Sequence, residues 1–216
     1  MYLSKLTLNI KNRQARKDLG SLYEMHKTIL RAFSTPLPEE ERVLFRVEYQ
    51  ENPRNSTAIL VQSQSCPDWK KVTELFEDYF FIPPAVKIIA ELHFASNEVM
   101  RFRLRANPTR RENIPEKTGK RMGLYKDIDR ITWLERKGEE NGFSIVEESL
   151  MIRPFPQRNF LISDGKKNHK ATLNIVDFDG LLKVENPVKL MGAVKRGLGS
   201  AKGLGCGLLS LARGKE

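Results

Sequence analysis

The stretch MRFRLRANP, residues 100–108, decides how this chain is divided. Phe102, Leu104 and Ala106 fall on one face of an extended strand, and Arg101, Arg103 and Arg105 fall on the other. Upstream, LSKLTLNI alternates in the same way, with Leu6, Leu8 and Ile10 on one side. Residues 21–33 switch to helical spacing: Leu22, Met25, Ile29, Leu30 and Phe33 form a stripe. Ser21 and Glu24 stand at capping-box spacing before it, and TPLP at 35–38 ends it. VLFRVEYQ (43–50) and TAILVQSQ (57–64) flank the turn-rich ENPRNS and read as a hairpin. PDWKKVTELFEDYF (67–80) opens with Pro and Asp as helices do. The proline pair at 83–84 reads as a break, so residues 100–108 become the next strand. The order is then strand, helix, strand, strand, helix, strand, which is the ferredoxin-like arrangement.

The same order recurs downstream. TRRENIPEKTGK (109–120) is polar and aperiodic and reads as a linker or long loop. RMGLY is a short strand, and residues 127–141 form a helix with Asp127 as N-cap and Ile128, Ile131 and Leu134 on one side. FSIVEESLMI and ATLNIVDF (171–178) are strands, NPVKLMGAVKRG is a helix and CGLLSLAR a final strand. The expected fold class is α+β, with two tandem ferredoxin-like (RRM-like, βαββαβ) domains at 1–108 and 119–216 and a linker at 109–118.

At 216 residues the chain has ample length for a core, and 40% hydrophobic with 30% charged content is ordinary for a globular protein. No apolar run approaches the roughly 20 residues needed to span a bilayer. The N-terminus lacks the layout of a signal peptide, and Cys66 and Cys206 stand alone without ligand spacing. The expectation is a cytoplasmic protein with no membrane partner, no structural zinc and no disulfide framework.

The net charge of +10 is unevenly placed. Lys/Arg exceed Asp/Glu by seven to two in residues 1–33, eight to two in 101–121 and six to one in 186–216. Residues 37–100 run six to eleven the other way. Basic segments separated by an acidic one suit a polyanion. The arginine row of 101, 103 and 105 suits a run of phosphates, or else protects an edge strand from aggregation.

KRGLGSAKGLGCGLL (195–209) holds Gly197, Gly199, Gly203, Gly205 and Gly207, punctuated by Lys195, Arg196 and Lys202. Glycines let backbone amides approach a phosphate or another backbone. The segment leaves a helix for a strand, the reverse of a P-loop, and lacks GxxxxGK[ST], which argues against a nucleoside triphosphate.

On a helix, Tyr23 and His26 are three apart and share a face. His26 also lies beside the apolar stripe, so a packed core histidine and a proton carrier are both open. Lys27 and Arg31 follow along one helix edge and suit phosphates, or are merely solvated. His93 and His169 lack a companion nucleophile. Asp127 with Asp129, and Asp177 with Asp179 before a turn at Gly180, are the Asp-x-Asp pairs, and neither comes with a further metal-ligand cluster.

Together, YLSKLTLN, DLGSLYEMHKTILRAF, RFRLRANPTRR and GLGSAKGLGCGLLSLA resemble the CRISPR-associated repeat-RNA endoribonucleases of the Cascade complex, the CasE family. The resemblance runs in order from the first residues to the last strand. It implies tandem ferredoxin-like domains, a CRISPR repeat RNA hairpin as substrate, and cleavage with neither metal nor other cofactor. It further implies retention of the mature guide RNA alongside other Cascade subunits. It favours His26 and Tyr23 as catalytic. RNA contacts are then expected from Lys27, Arg31, Arg101, Arg103, Arg105, Lys195, Arg196, Gly197, Gly199, Lys202, Gly203 and Gly205. A basic hairpin with Arg158, Lys166, Lys167 and Lys170 would reach into duplex RNA. The alternative is a non-catalytic subunit that only grips the hairpin.

Overall fold

The structure, a computed structural model, describes residues 1–48, 56–112, 119–155, 158–163 and 168–213, with the backbone alone in 158–163 and 168–171. Contacts divide it into two units, residues 1–92 with 202–208, and 93–201 with 209–216.

The first unit contains β1 (Tyr2–Asn9), α1 (Arg13–Gly20), α2 (Leu22–Leu30), β2 (Leu44–Glu48), β3 (Ser56–Ser63), α3 (Lys70–Leu75) and β4 (Phe80–Ile88). The sheet order is β2-β3-β1-β4, antiparallel throughout. This is the ferredoxin-like topology. Alternation puts Leu6 and Leu8 of β1, with Ile59 and Val61 of β3, in the core. The stripe of α2 buries Leu22, Met25 and Ile29 as its spacing predicts.

The fourth strand of this sheet is β4, not residues 100–108. The prolines at 83–84 sit inside it rather than breaking the chain. Ala85 pairs with Lys5 and Ile82 with Thr7, so Pro83 and Pro84 together face Leu6 in a bulge. An edge strand tolerates residues that cannot donate to a ladder. α1 carries no apolar stripe for periodicity to reveal, since only Ala15 and Asp18 are buried in it. Its start is fixed by Asn12, whose side chain accepts from the amide of Ala15 at 3.0 Å. Asp18 then accepts from the Tyr79 hydroxyl at 2.7 Å and Gln14 Nε2 at 2.9 Å, and burial pushes its carboxyl pKa up.

The second unit contains β5 (Val99–Ala106), β6 (Thr109–Arg111), β7 (Arg121–Gly123), α4 (Asp127–Asn141), β8 (Phe143–Pro154), β9 (Arg158–Ser163), β10 (Asn168–Leu173), β11 (Val176–Val184), α5 (Pro187–Arg196) and β12 (Leu209–Arg213). Its sheet order is β12-β5-β11-β8, the same topology again. The strand read as closing the first domain thus opens the second. RMG is the strand β7, as its sequence suggests, but it pairs with β6, which comes from the expected linker, in a separate two-stranded ribbon rather than joining the four-stranded sheet. Phe102, Leu104 and Ala106 are buried, as the alternation predicts. Helix α4 departs from its expected face. Lys126 is its N-cap, and Arg130, Trp133 and Leu134 are buried, while Ile128 is 67% exposed. Among the described residues, no helix is long and apolar enough to cross a membrane.

Candidate active site

Helix α2 opens on Ser21, whose Oγ accepts from the Glu24 amide at 3.4 Å. The Glu24 carboxylate does not close a reciprocal box. It lies 3.1 Å from both Lys17 Nζ and Lys27 Nζ, and these ammonium groups hold its pKa down. Lys27 Nζ also sits 5.2 Å from the centroid of the Tyr23 ring. Tyr23, Lys27 and the half-buried His26 therefore stand on neighbouring positions of one short helix. Arg31 is its exposed C-cap.

His26 has a defined seat within the first unit. Its ring stacks on Phe45 of β2, with centroids 6.0 Å apart and planes 15° apart. Gly203, in the 3-10 turn Lys202–Leu204, closes on the ring edge: a Cβ there would lie 3.2 Å from both Cδ2 and Nε2. Gly205, at φ 75°, lies against Phe45, where a Cβ would come to 3.3 Å of Cε2. Arg46, paired with Glu48 at 2.7 Å, donates from Nη1 to the Leu208 carbonyl at 3.2 Å and anchors this loop. The glycines at 203 and 205 thus make their close approaches to two aromatic rings rather than to backbone. Phe45 was legible only as a buried strand residue, since nothing local marks a stacking partner 19 positions from His26.

Burial lowers the His26 pKa below that of a free imidazole. Among the described residues its buried Nδ1 has no hydrogen-bond partner. A neutral imidazole can accept or relay a proton only through a nitrogen that a reacting group reaches, and the buried Nδ1 is not that nitrogen.

The arginine row in the second unit is largely committed within the fold. Asp177 and Asp179 are not in a turn; they lie in β11 directly across from Arg105 and Arg103. Arg105 makes a two-pronged bond to Asp177, Nε to Oδ1 and Nη2 to Oδ2, both 2.7 Å, and is only 5% exposed. Its guanidinium also lies 4.6 Å from the Phe155 ring centroid. Arg103 pairs with Asp179 at 2.6 Å, and Arg153 bonds the other oxygen of the same carboxylate. Arg101 alone of the three sits opposite an apolar residue of β11, Leu181, and is exposed.

Lys195 and Arg196 occupy the exposed last turn of α5, which ends at Gly197 with φ 72°. Gly199 packs on Trp133, where a Cβ would lie 3.1 Å from Cζ2. Of the expected RNA contacts, Lys202, Gly203 and Gly205 share the first unit with Tyr23, His26, Lys27 and Arg31. Arg101, Arg103, Arg105, Lys195, Arg196, Gly197 and Gly199 belong to the second. The basic hairpin forms, with β9 and β10 antiparallel. Arg158 and Lys170 are placed there by backbone, whereas Lys166 and Lys167 lie outside the described residues. Among the described residues, no three of His, Cys, Asp and Glu cluster as a metal site would need.

Fold and site together define a tandem ferredoxin-like protein with a histidine seated on the second helix of its first unit. The family model described as CRISPR associated protein matches residues 1–213, and the chain belongs to that family. It is 37% identical to the CRISPR-associated endoribonuclease Cse3 of Thermus thermophilus, over 98% of this chain and all of the relative. It is 30% identical to the CRISPR system Cascade subunit CasE of Escherichia coli K12, over 98% of this chain and 99% of the relative. Thermus thermophilus Cse3 bound to an RNA representing a pre-cleavage complex superposes with a TM-score of 0.81 at 34% identity. That match covers 98% of each chain.

Proposed function

We propose that this chain is an endoribonuclease that cleaves CRISPR repeat stem-loop RNA and holds the mature guide RNA as a subunit of Cascade. The observation that carries the reading is the seat of His26: a half-buried imidazole stacked on Phe45 and edged by Gly203. Its place in a chain 37% identical to an endoribonuclease supports a chemical role over simple packing.

In the proposed reaction the RNA supplies its own nucleophile. The 2′-hydroxyl oxygen attacks the adjacent phosphorus as its proton passes to a base, and the 2′-O–P bond forms. The P–O5′ bond breaks, and the leaving oxygen takes a proton. One fragment ends in a 2′,3′-cyclic phosphate and the other begins with a 5′-hydroxyl. His26 serves this proton traffic, and an approaching phosphodiester favours its charged form, opposing the effect of burial. Tyr23, one turn earlier, hydrogen-bonds the 2′-hydroxyl or a phosphate oxygen.

Lys27, Arg31, Arg101, Lys195, Arg196 and Lys202 supply cationic contacts, with Arg158 and the lysines of the β9–β10 hairpin against the stem. An A-form stem is recognised chiefly through its backbone. No metal is needed for this chemistry. The two free cysteines, Cys66 and Cys206, suit a reducing cytoplasm.

The test is cleavage of labelled repeat RNA in EDTA by wild type and by His26→Ala. The expected result is cutting by wild type in EDTA and a loss of about 10²–10⁴-fold in rate for the variant, with RNA binding retained. RNA left intact by both proteins with magnesium as well as in EDTA would leave a hairpin-binding subunit without catalysis. Cutting that vanishes only in EDTA would make the reaction metal-dependent.

A further inference from the structure

The second unit holds a group of cations, three of which have no carboxylate partner among the described residues. In the β6–β7 ribbon, Arg111 stands directly across from Arg121, with Arg110 one position along. Like charges directly opposite on paired strands destabilise the pairing, and this ribbon is only three residues long on each side. Helix α4 adds Arg136 and Lys137, and these five cations line one cavity of about 650 Å³. Among the described residues, no carboxylate lines it. Glu140 pairs with both Arg136 and Lys137, while Arg110, Arg111 and Arg121 have no carboxylate partner among the described residues. The contrast with Arg103 and Arg105, each facing an aspartate across its strand, is direct.

Three arginines without a carboxylate partner among the described residues, two of them set against each other, suit an anion from outside. The three ribbon arginines are exposed, so they form an open trough rather than a closed pocket for a small molecule. Trp133 lines the trough but is only 4% exposed and stacks on Phe178, so it offers no face to a base. The trough thus offers charge without an aromatic platform, which suits phosphates.

We propose that this basin is a sequence-independent subsite for the phosphodiester backbone of the RNA substrate, with Arg110, Arg111 and Arg121 as its principal ligands. The assignment rests on the reading of the chain as an RNA-processing protein. Its action is to hold RNA, so it adds to affinity and leaves the chemical step unchanged.

The experiment compares full-length wild type with the triple variants Arg110→Ala/Arg111→Ala/Arg121→Ala and Arg110→Lys/Arg111→Lys/Arg121→Lys. Binding of repeat hairpin RNA is measured across salt concentrations, alongside thermal melting and single-turnover cleavage at saturating protein. Loss of three phosphate contacts reduces the slope of log K against log salt by about 2 to 3. The expected alanine variant shows that reduction, melts no lower than wild type because like-charge repulsion has gone, and cuts at the wild-type rate once saturated. The lysine variant restores most of the slope. A wild-type slope in the alanine variant, or a lowered melting temperature without a change of slope, overturns the inference and leaves the cleavage reading intact. Failure of wild type to bind repeat RNA would overturn both, whereas binding without cutting would sink only the cleavage reading.

Discussion

The two ferredoxin-like units share one strand order and use it for different ends. The first places a single imidazole on a helix and surrounds it with apolar and glycine surface, so burial shifts its proton equilibrium. The second places guanidinium groups on strands and decides position by position whether to neutralise them. Arg105 is locked to Asp177 inside the sheet, and Arg103 shares Asp179 with Arg153, but Arg110, Arg111 and Arg121 face no carboxylate across their ribbon. One scaffold can thus carry either a titrating group or a cationic grip, depending on which residue a strand or helix presents. A row of arginines on a strand does not by itself mark a binding surface; the strand across from it decides.

The largest effect on folding should come from breaking that neutralisation. Asp177→Ala leaves the Arg105 guanidinium buried without its counter-ion and should destabilise the protein by about 3–5 kcal/mol. Pairing it with Arg105→Met should recover most of the loss, since apolar residues of similar volume often replace a buried pair at little cost. Asp179→Ala should lose only about 1 kcal/mol or less, because its partners Arg103 and Arg153 are 44% and 54% exposed. Equilibrium denaturation of the four proteins checks the order. Equal losses at the two aspartates would mean Arg105 is as solvated as Arg103.

A smaller effect, on rate rather than stability, tests the seat in the first unit. The Cβ of Gly203→Ala would meet the imidazole edge at 3.2 Å, so ring or loop must yield by a few tenths of an ångström. Misplacement of about 1 Å can lower a rate on the order of a hundredfold, so a loss of roughly threefold to tenfold in single-turnover cleavage is expected. RNA affinity should be unchanged. A loss of affinity with an unchanged saturated rate would instead make Gly203 an RNA contact.

These contrasts also explain what the sequence made legible. Alternation and helical spacing revealed strand β5, helix α2 and the common face of Tyr23 and His26, because those signals are local. Strand β4 was hidden because Pro83 and Pro84 look like a break unless one knows the strand is an edge with a bulge. Missing it made β5 the last strand of the first unit instead of the first strand of the second, and β6 was lost in the aperiodic stretch read as a linker, although β7 reads as a strand. The Arg105–Asp177 pair spans 72 residues, and the contacts of Phe45 and Gly203 with His26 join three distant segments. No periodicity carries information of that range. The charge excess at 101–121 was visible, but its division into neutralised and free arginines depends on pairing that only the fold supplies.

The smallest effect is the most discriminating, because it separates a packed histidine from a working one. Burial lowers the His26 pKa in the folded chain below its unfolded value near 6.5, so between the two the unfolded chain binds more protons. His26 therefore favours folding fully above pH 6.5, and that contribution declines as pH falls below it. Relative to His26→Gln, wild type should lose melting temperature as pH drops from 7.5 to 5.5. This much follows from burial alone and holds for either role. A phosphodiester next to the ring reverses the sign, because the anion favours the imidazolium and RNA binding then takes up a proton. Affinity for a repeat RNA carrying a 2′-deoxy residue at the cut site should accordingly strengthen with falling pH in wild type and not in His26→Gln. A stability difference without an affinity difference would leave His26 as core packing and return the chemistry to another group.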